Sequence, residues 1–361
     1  MKRLSRLRVG IIAALIVALA VSACGKSDDL PEGALAPKEV KLATVGSYLT
    51  IFSAAWAAEN TSFKEIEEKY GTKLTFQTFG KGADAMTATL GGSVDINTGT
   101  SSTDIVEAVL KKQDLVAVDS LFTGPGSVLI GRKDLEASHG TNIKAYDGAS
   151  WGYTAEGSSA QLHAQKEAEY AGLDWDNQKG IALGSVQAFE PALKSGRTDI
   201  AAMDTTSAAI AISNGSGYLV RNMNDLTLHG PVVGPIPGNL VAIPSAFIEK
   251  FPEFTQALVT AFVEGLREVQ NAKDANAAYA LMPESFKKVH QNDAQFAVEW
   301  DLARPAFLGT DGGFNQANID AIAKYIDEDP AQVETAFNDT FVDAAYKEIG
   351  VERADAGIGQ P

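Results

Sequence analysis

Leu193-Lys194-Ser195-Gly196-Arg197-Thr198-Asp199-Ile200-Ala201-Ala202-Met203-Asp204-Thr205-Thr206 is the stretch that decides the fold. A helix around Phe189 and Leu193 stops at Gly196, where the chain needs a backbone that glycine tolerates. Asp199 to Met203 then reads as a short buried strand. It leads directly into a helix from Thr205 to Ser213. Helix, glycine turn, strand and helix in succession are the signature of an α/β sheet, expected here to be mostly parallel.

The same grammar extends in both directions. Upstream, Val40 to Val45, Leu74 to Phe79, Val94 to Asn97 and Leu115 to Phe122 read as strands. Ile51 begins a helix, and Ser62 with Glu65 is spaced as a capping box for a second, short one ending at Tyr70. The helix carrying Met86 and Leu90 ends at Gly91-Gly92. Ser101 and Asp104 are spaced to cap the next, whose apolar face holds Ile105, Val109 and Leu110. After Gly124-Pro125-Gly126 the pattern restarts with strands at Ser127–Gly131, Ser150–Thr154 and Gly180–Leu183. Asn239 to Ile243 is a last strand. From Phe254 on the chain is mostly helical, with Phe254, Leu258, Phe262 and Leu266 at helical spacing. Two strand–helix sets imply two lobes with a cleft between them. The hinge is expected at the crossover strands Ser127–Arg132 and Asn239–Ile243.

The N-terminus reads as an address. Lys2, Arg3, Arg6 and Arg8 precede an apolar run from Val9 to Ala20 that is short for spanning ~30 Å of hydrocarbon but suits a secretory signal. Val21-Ser22-Ala23 leads to Cys24, the only cysteine of the 361 residues. This order resembles the bacterial lipobox, which implies acylation of Cys24. Lys26 to Pro37 reads as a flexible tether. The net charge is −16, and loss of residues 1–23, with four basic and no acidic side chains, takes it to −20. Such a chain lacks the clustered cations that nucleic acid requires. One cysteine excludes an internal disulfide framework, a CxxC redox motif and a thiolate zinc cluster.

Four stretches together resemble the substrate-binding proteins of ATP-binding-cassette importers, in particular the nitrate, sulfonate and taurine group. They are Gly91–Asn97, Ser127–Asp134, Tyr146–Ser158 and Leu193–Ala202. The resemblance implies a two-lobed periplasmic-binding-protein-like fold of type II, with a helical C-terminal part. Residues 1–23 are then signal and 24–38 anchor and tether. Residues 39–126 with 240–361 form lobe 1, and 127–239 lobe 2. It also implies a monomeric, lipid-anchored binder without cofactor, working with a membrane permease and a cytoplasmic ATPase. Asn97, where the family commonly has glycine, and Met203-Asp204-Thr205-Thr206 depart from the pattern at cleft positions.

Three hydroxyl-rich loops open helices and are expected to face the cleft: Thr100-Ser101-Ser102, Ser158-Ser159 and Thr205. Helix starts present unpaired amides and partial positive charge, which suit an anion; alternatively the hydroxyls only cap their own helices. Glu156 and Asp204 sit at the same strand ends and repel a bare anion. A zwitterion, or a neutral or cationic heteroaromatic such as a thiamine pyrimidine precursor, resolves the conflict, as does pairing of both acids elsewhere. Ser47, Tyr48 and Lys81 complete the candidate set. Catalytic motifs are missing from the sequence: there is no HExxH and no GxSxG, and Gly80-Lys81-Gly82 lacks P-loop spacing. The four histidines read as surface residues. The Gly230–Gly238 segment, rich in proline, reads as a loop shaping the second crossover.

Overall fold

The computed structural model describes residues 33–45, 49–288 and 292–353. Cys24, the proposed signal, Ser47, Tyr48 and His290 lie outside the described residues. The strands are β1 (Glu39–Val45), β2 (Lys73–Phe79), β3 (Ile96–Asn97), β4 (Val116–Ser120), β5 (Ser127–Arg132), β6 (Ser150–Tyr153), β7 (Lys179–Ala182), β8 (Ile200–Asp204), β9 (Gly217–Asn222) and β10 (Leu240–Ile243). They form two sheets, β2-β1-β3-β10-β4 and β7-β6-β8-β5-β9. β1 runs parallel to β2 and β3, and β6 parallel to β7 and β8. β10 and β5 are antiparallel to both their neighbours. The sheets are therefore mixed, with as many antiparallel as parallel pairings, rather than mostly parallel as expected. β5 and β10 are the first strands after the chain changes sheets, and each enters from the opposite end.

The helices of eight residues or more are α1 (Leu49–Tyr70), α2 (Gly82–Leu90), α3 (Ser102–Leu110), α4 (Ser159–Tyr170), α5 (Thr205–Ser213), α6 (Leu226–Val233), α7 (Pro252–Gln270), α8 (Asp293–Leu308), α9 (Gln316–Ile326) and α10 (Thr340–Glu348). α1 is continuous, so the capping box at Ser62 and Glu65 does not form. Ser62 instead donates its hydroxyl to Glu264 on α7. These two helices pack closely: a Cβ on Gly265 would lie 2.1 Å from the carbonyl oxygen of Ala54. The Phe63 and Phe262 rings meet edge to face at 5.7 Å beside that crossing. Strand β9 and helix α6 were not expected. Asp225 caps α6, accepting from the Thr227 amide at 3.0 Å, and burial of His229 and Val233 holds the helix despite Pro231. Only the second half of the proline-rich segment is loop.

Leu121 to Gly126 and Pro235 to Asn239 carry the chain between the sheets. The strands β5 and β10, where the crossover was expected, lie inside their sheets, so these connectors rather than the strands join the two sheets. The connectors run side by side and pair through their backbones: Leu121 N–H to Asn239 O at 3.0 Å, Gly238 N–H to Phe122 O at 2.8 Å and Gly124 N–H to Ile236 O at 2.7 Å. Behind them lies α8. Its Glu299 accepts from the hydroxyls of Thr205, at 3.2 Å, and Thr206 on α5. Its Leu302 carbonyl accepts from the side-chain amides of Asn222 and Asn224 at 3.1 and 3.0 Å.

Two histidines are interior, not surface, residues. His229 on α6 bonds through Nδ1 to Glu167 on α4, and both are fully buried. Arg221 Nε on β9 stands 3.8 Å from the other Glu167 oxygen. His163 packs beside His229, and burial followed by that neighbour's charge pushes its pKa down to about 3. Turning inward lets α4 and α6 share one polar contact in an apolar setting.

Two stability predictions follow from this packing. A Cβ on Gly238 would fall 1.9 Å from the Phe122 ring, so Gly238→Ala is expected to lower stability by about 1–3 kcal/mol, read from urea unfolding. Glu167→Ala leaves His229 and Arg221 without their carboxylate, and a loss of about 3–5 kcal/mol is expected in the same measurement. An unchanged midpoint in either variant contradicts the corresponding contact.

Candidate functional site

A cavity of about 550 Å³ lies between the two sheets and draws its walls from both. From the first sheet's side come Lys81 at the start of α2, and Thr100 and Ser101 before α3. From the second come Glu156, Ser158 and Ser159 at the start of α4, and Asp204 before α5. Local sequence explains the convergence: each of these helices follows a strand of its sheet, so its first turn lies at the carboxyl end of that sheet.

The hydroxyls mostly serve their own helices. Ser101 accepts from the Asp104 amide at 3.4 Å and Ser158 from the Gln161 amide at 3.3 Å. Asp204 takes the same position on α5, accepting from the Ser207 amide at 2.8 Å and the Ser207 hydroxyl at 2.6 Å. A carboxylate thus already occupies the anion position at that helix start. Two expected residues point elsewhere. Ser102 donates to the Pro237 carbonyl at 2.6 Å, and Thr205 bonds Glu299; neither lines the cavity. Asn97 is also outside it: its amide nitrogen donates to Thr89 at 3.1 Å and its oxygen accepts from Gly99 N–H at 3.1 Å.

The cavity is acidic. Asp104, Glu107, Glu156 and Asp204 face two lysines, Lys81 and Lys111. Both lysines are partnered, Lys111 with Glu107 at 2.8 Å and Lys81 with Asp84 at 3.7 Å. Glu156 accepts from Tyr153 at 2.6 Å and from Gln161 at 2.7 Å. Burial raises the pKa of Asp104, opposed by the Ser101 hydroxyl. Burial likewise pushes Asp204 up to about 6; the two Ser207 bonds pull it down, and the nearby Glu299 charge adds to the rise. Phe122, Phe189, Met203 and Val186 supply apolar wall. Among the described residues no group of three or more His, Cys, Asp or Glu is placed to hold a metal ion. Among them, too, no helix is long and apolar enough to cross a membrane.

No protein-family model matches the sequence, and no curated protein matches it. Solved structures do. A protein from Bordetella bronchiseptica RB50 superposes with a TM-score of 0.71 at 21% identity, over 87% of this chain and 98% of that one. The periplasmic nitrate-binding protein NrtA from Synechocystis PCC 6803 gives 0.65 at 12% identity, over 90% and 92%. The periplasmic aliphatic sulphonate binding protein SsuA from Escherichia coli gives 0.60 at 17%, over 90% and 93%. The chain has the periplasmic binding protein fold. Its two sheets, each with one reversed strand, are the two lobes of that fold.

Within this binding-protein fold, sequence reasoning missed Asp104, Glu107, Lys111, Phe122 and Phe189 as cavity residues. From the sequence, Asp104 reads only as a helix-cap partner and Phe189 only as a helix face. Phe189 follows the loop after β7, and a strand-end position was the available signal.

The raised Asp204 pKa predicts a pH dependence. A carboxyl that titrates higher in the fold than in the unfolded chain binds more protons when folded. Its contribution therefore falls as pH rises from about 4 to about 6, by roughly 3 kcal/mol. His163 acts oppositely in that window, since its folded pKa is lowered. The difference between wild type and Asp204→Asn isolates Asp204: the variant is expected to gain on wild type as pH rises from 4 to 6. Parallel unfolding curves for the two proteins would contradict this.

Proposed function

We propose that this chain is an extracytoplasmic solute-binding protein of an ATP-binding-cassette importer. It captures a small organic solute between lobe 1 (residues 39–126 with 240–361) and lobe 2 (residues 127–239). It passes the solute unaltered to a membrane permease whose cytoplasmic ATPase supplies the energy. The observation that carries this reading is the cavity between the sheets, walled by helix starts from both lobes on a fold shared with sulphonate- and nitrate-binding proteins. A ligand touching both walls favours the closed arrangement to the extent that it binds that state more tightly.

The proposed contacts are Lys81, Thr100 and Ser101 on one wall, and Glu156, Ser158, Ser159 and Asp204 on the other. Ser102 and Thr205 are omitted because their hydroxyls are engaged away from the cavity. Ser47 and Tyr48 remain in the set on sequence position alone. Acylated Cys24 anchors a monomer to the membrane surface, with residues 24–38 as tether. The solute is sulfonate- or taurine-like by analogy with the neighbours. A heteroaromatic is the second reading, favoured by the Phe122 and Phe189 walls.

A thermal-shift series with ethanesulfonate, taurine, nitrate and an aminopyrimidine tests the proposal. A binder at one hundred times its Kd is expected to stabilise the chain by about 2.7 kcal/mol. Mass spectrometry should return that compound unchanged, and small-angle scattering should show compaction on binding. A chemically altered compound would instead identify an enzyme on the same fold.

A further inference from the structure

The cavity holds more acid than base, and its most buried acid is not matched by a cation. Asp204 is 8% exposed, and among the described residues no ion-pair partner approaches it. Its carboxylate offers about four acceptor positions; the Ser207 amide and hydroxyl take one on each oxygen, and the Asp204 backbone amide adds to them. Asp204 lines the cavity wall, in a place shielded from bulk water. On the opposite wall Asp104 is also without an ion-pair partner among the described residues. The lysines offset this only in part: each already has its own carboxylate, and Lys111 acts on Asp104 without forming an ion pair with it.

An anionic solute entering here meets two carboxylates without an ion-pair partner among the described residues, and two lysines that each already hold a carboxylate. A cationic nitrogen meets the reverse: donors on the ligand answer acceptors on the protein, and the charges attract where screening is weak. We propose that the solute carries a cationic nitrogen, an ammonium or a protonated ring base, that docks on Asp204 with Asp104 across the cavity, its apolar body lying against Phe122 and Phe189. A simple sulfonate or nitrate is then a poor occupant; a zwitterion is accepted through its positive end. This rests on the solute-binding reading above and narrows it.

Probe pairs that share a body and differ in the charged group they carry test the idea by calorimetry on the full chain: taurine against ethanesulfonate, and benzylammonium against benzoate. At pH 7 the cation-bearing member of each pair is expected to bind at least tenfold more tightly. Asp204→Asn keeps a side chain able to cap α5 and is expected to weaken benzylammonium at least tenfold; Asp104→Asn is a second variant on the other wall, for which a smaller loss is expected. Benzylammonium affinity of the wild type should also fall between pH 7 and pH 5 as Asp204 gains a proton, and the Asp204→Asn protein should lack that fall. The other charged groups around Asp204 are Glu299 on α8, Glu156 on its own wall, and Lys81, Asp104, Glu107 and Lys111 opposite. Tighter binding of ethanesulfonate and benzoate than of their partners overturns this inference and leaves solute binding standing. Unchanged benzylammonium affinity in both variants overturns it as well. Binding of none of the four probes overturns it together with the reading it rests on.

Discussion

The backbone pairing of Leu121–Gly124 with Ile236–Asn239 is the constraint on which the rest of this structure depends. Three amide–carbonyl bonds join the only stretches in which the described chain passes from one sheet to the other. They set where the sheets face each other and therefore where the cavity lies. They also bring backbone so close to Phe122 that position 238 has no room for a side chain. Phe122 is at once the neighbour of that pairing and part of the cavity wall. Geometry at the connectors is transmitted directly to the space where a solute would sit.

Helix α8 limits this arrangement from behind. Glu299 holds the first turn of α5 through two threonine hydroxyls, and the Leu302 carbonyl holds the end of β9 through two asparagines. A buried carboxylate on one side of α5 and the Asp204 carboxylate on the other bracket its start. Burial first, and then the Glu299 charge, make Asp204 harder to ionise, which is why Asp204 titrates high. The electrostatic character of the cavity is thus set partly by a helix that does not line it.

The departure at Met203-Asp204 is the one that matters for the site. Asp204 puts a built-in anion at the start of α5, so the dipole that favours a bound anion at a helix start is already satisfied there. Asn97, the other departure, closes a local network with Thr89 and Gly99 and leaves the cavity untouched. Two substitutions that look equivalent in a motif differ in which side of the strand end they occupy.

Strand order along the chain, the restart after Gly126, the helical tail and the helix starts at Ser101, Ser158 and Thr205 were legible in the sequence, because apolar periodicity and turn residues are local signals. The continuity of α1, the helix containing Pro231 and the strand at Tyr218–Val220 were not. There, burial against partners far along the chain overrides local preference, as Ser62 shows by bonding Glu264 rather than capping a helix. Whether a hydroxyl faces the cavity or the protein was equally hidden: Ser101 and Ser102 are neighbours with opposite fates, decided by which way the first turn of α3 meets Pro237. The interior placement of His163 and His229, and the reversal of β5 and β10, likewise depend on how the sheets are joined. The alternation of elements and the residue types at the strand ends follow from local sequence alone. Which of those side chains share a cavity, and which are consumed in holding it, depends on contacts between segments that are distant along the chain and so emerges only in the folded molecule.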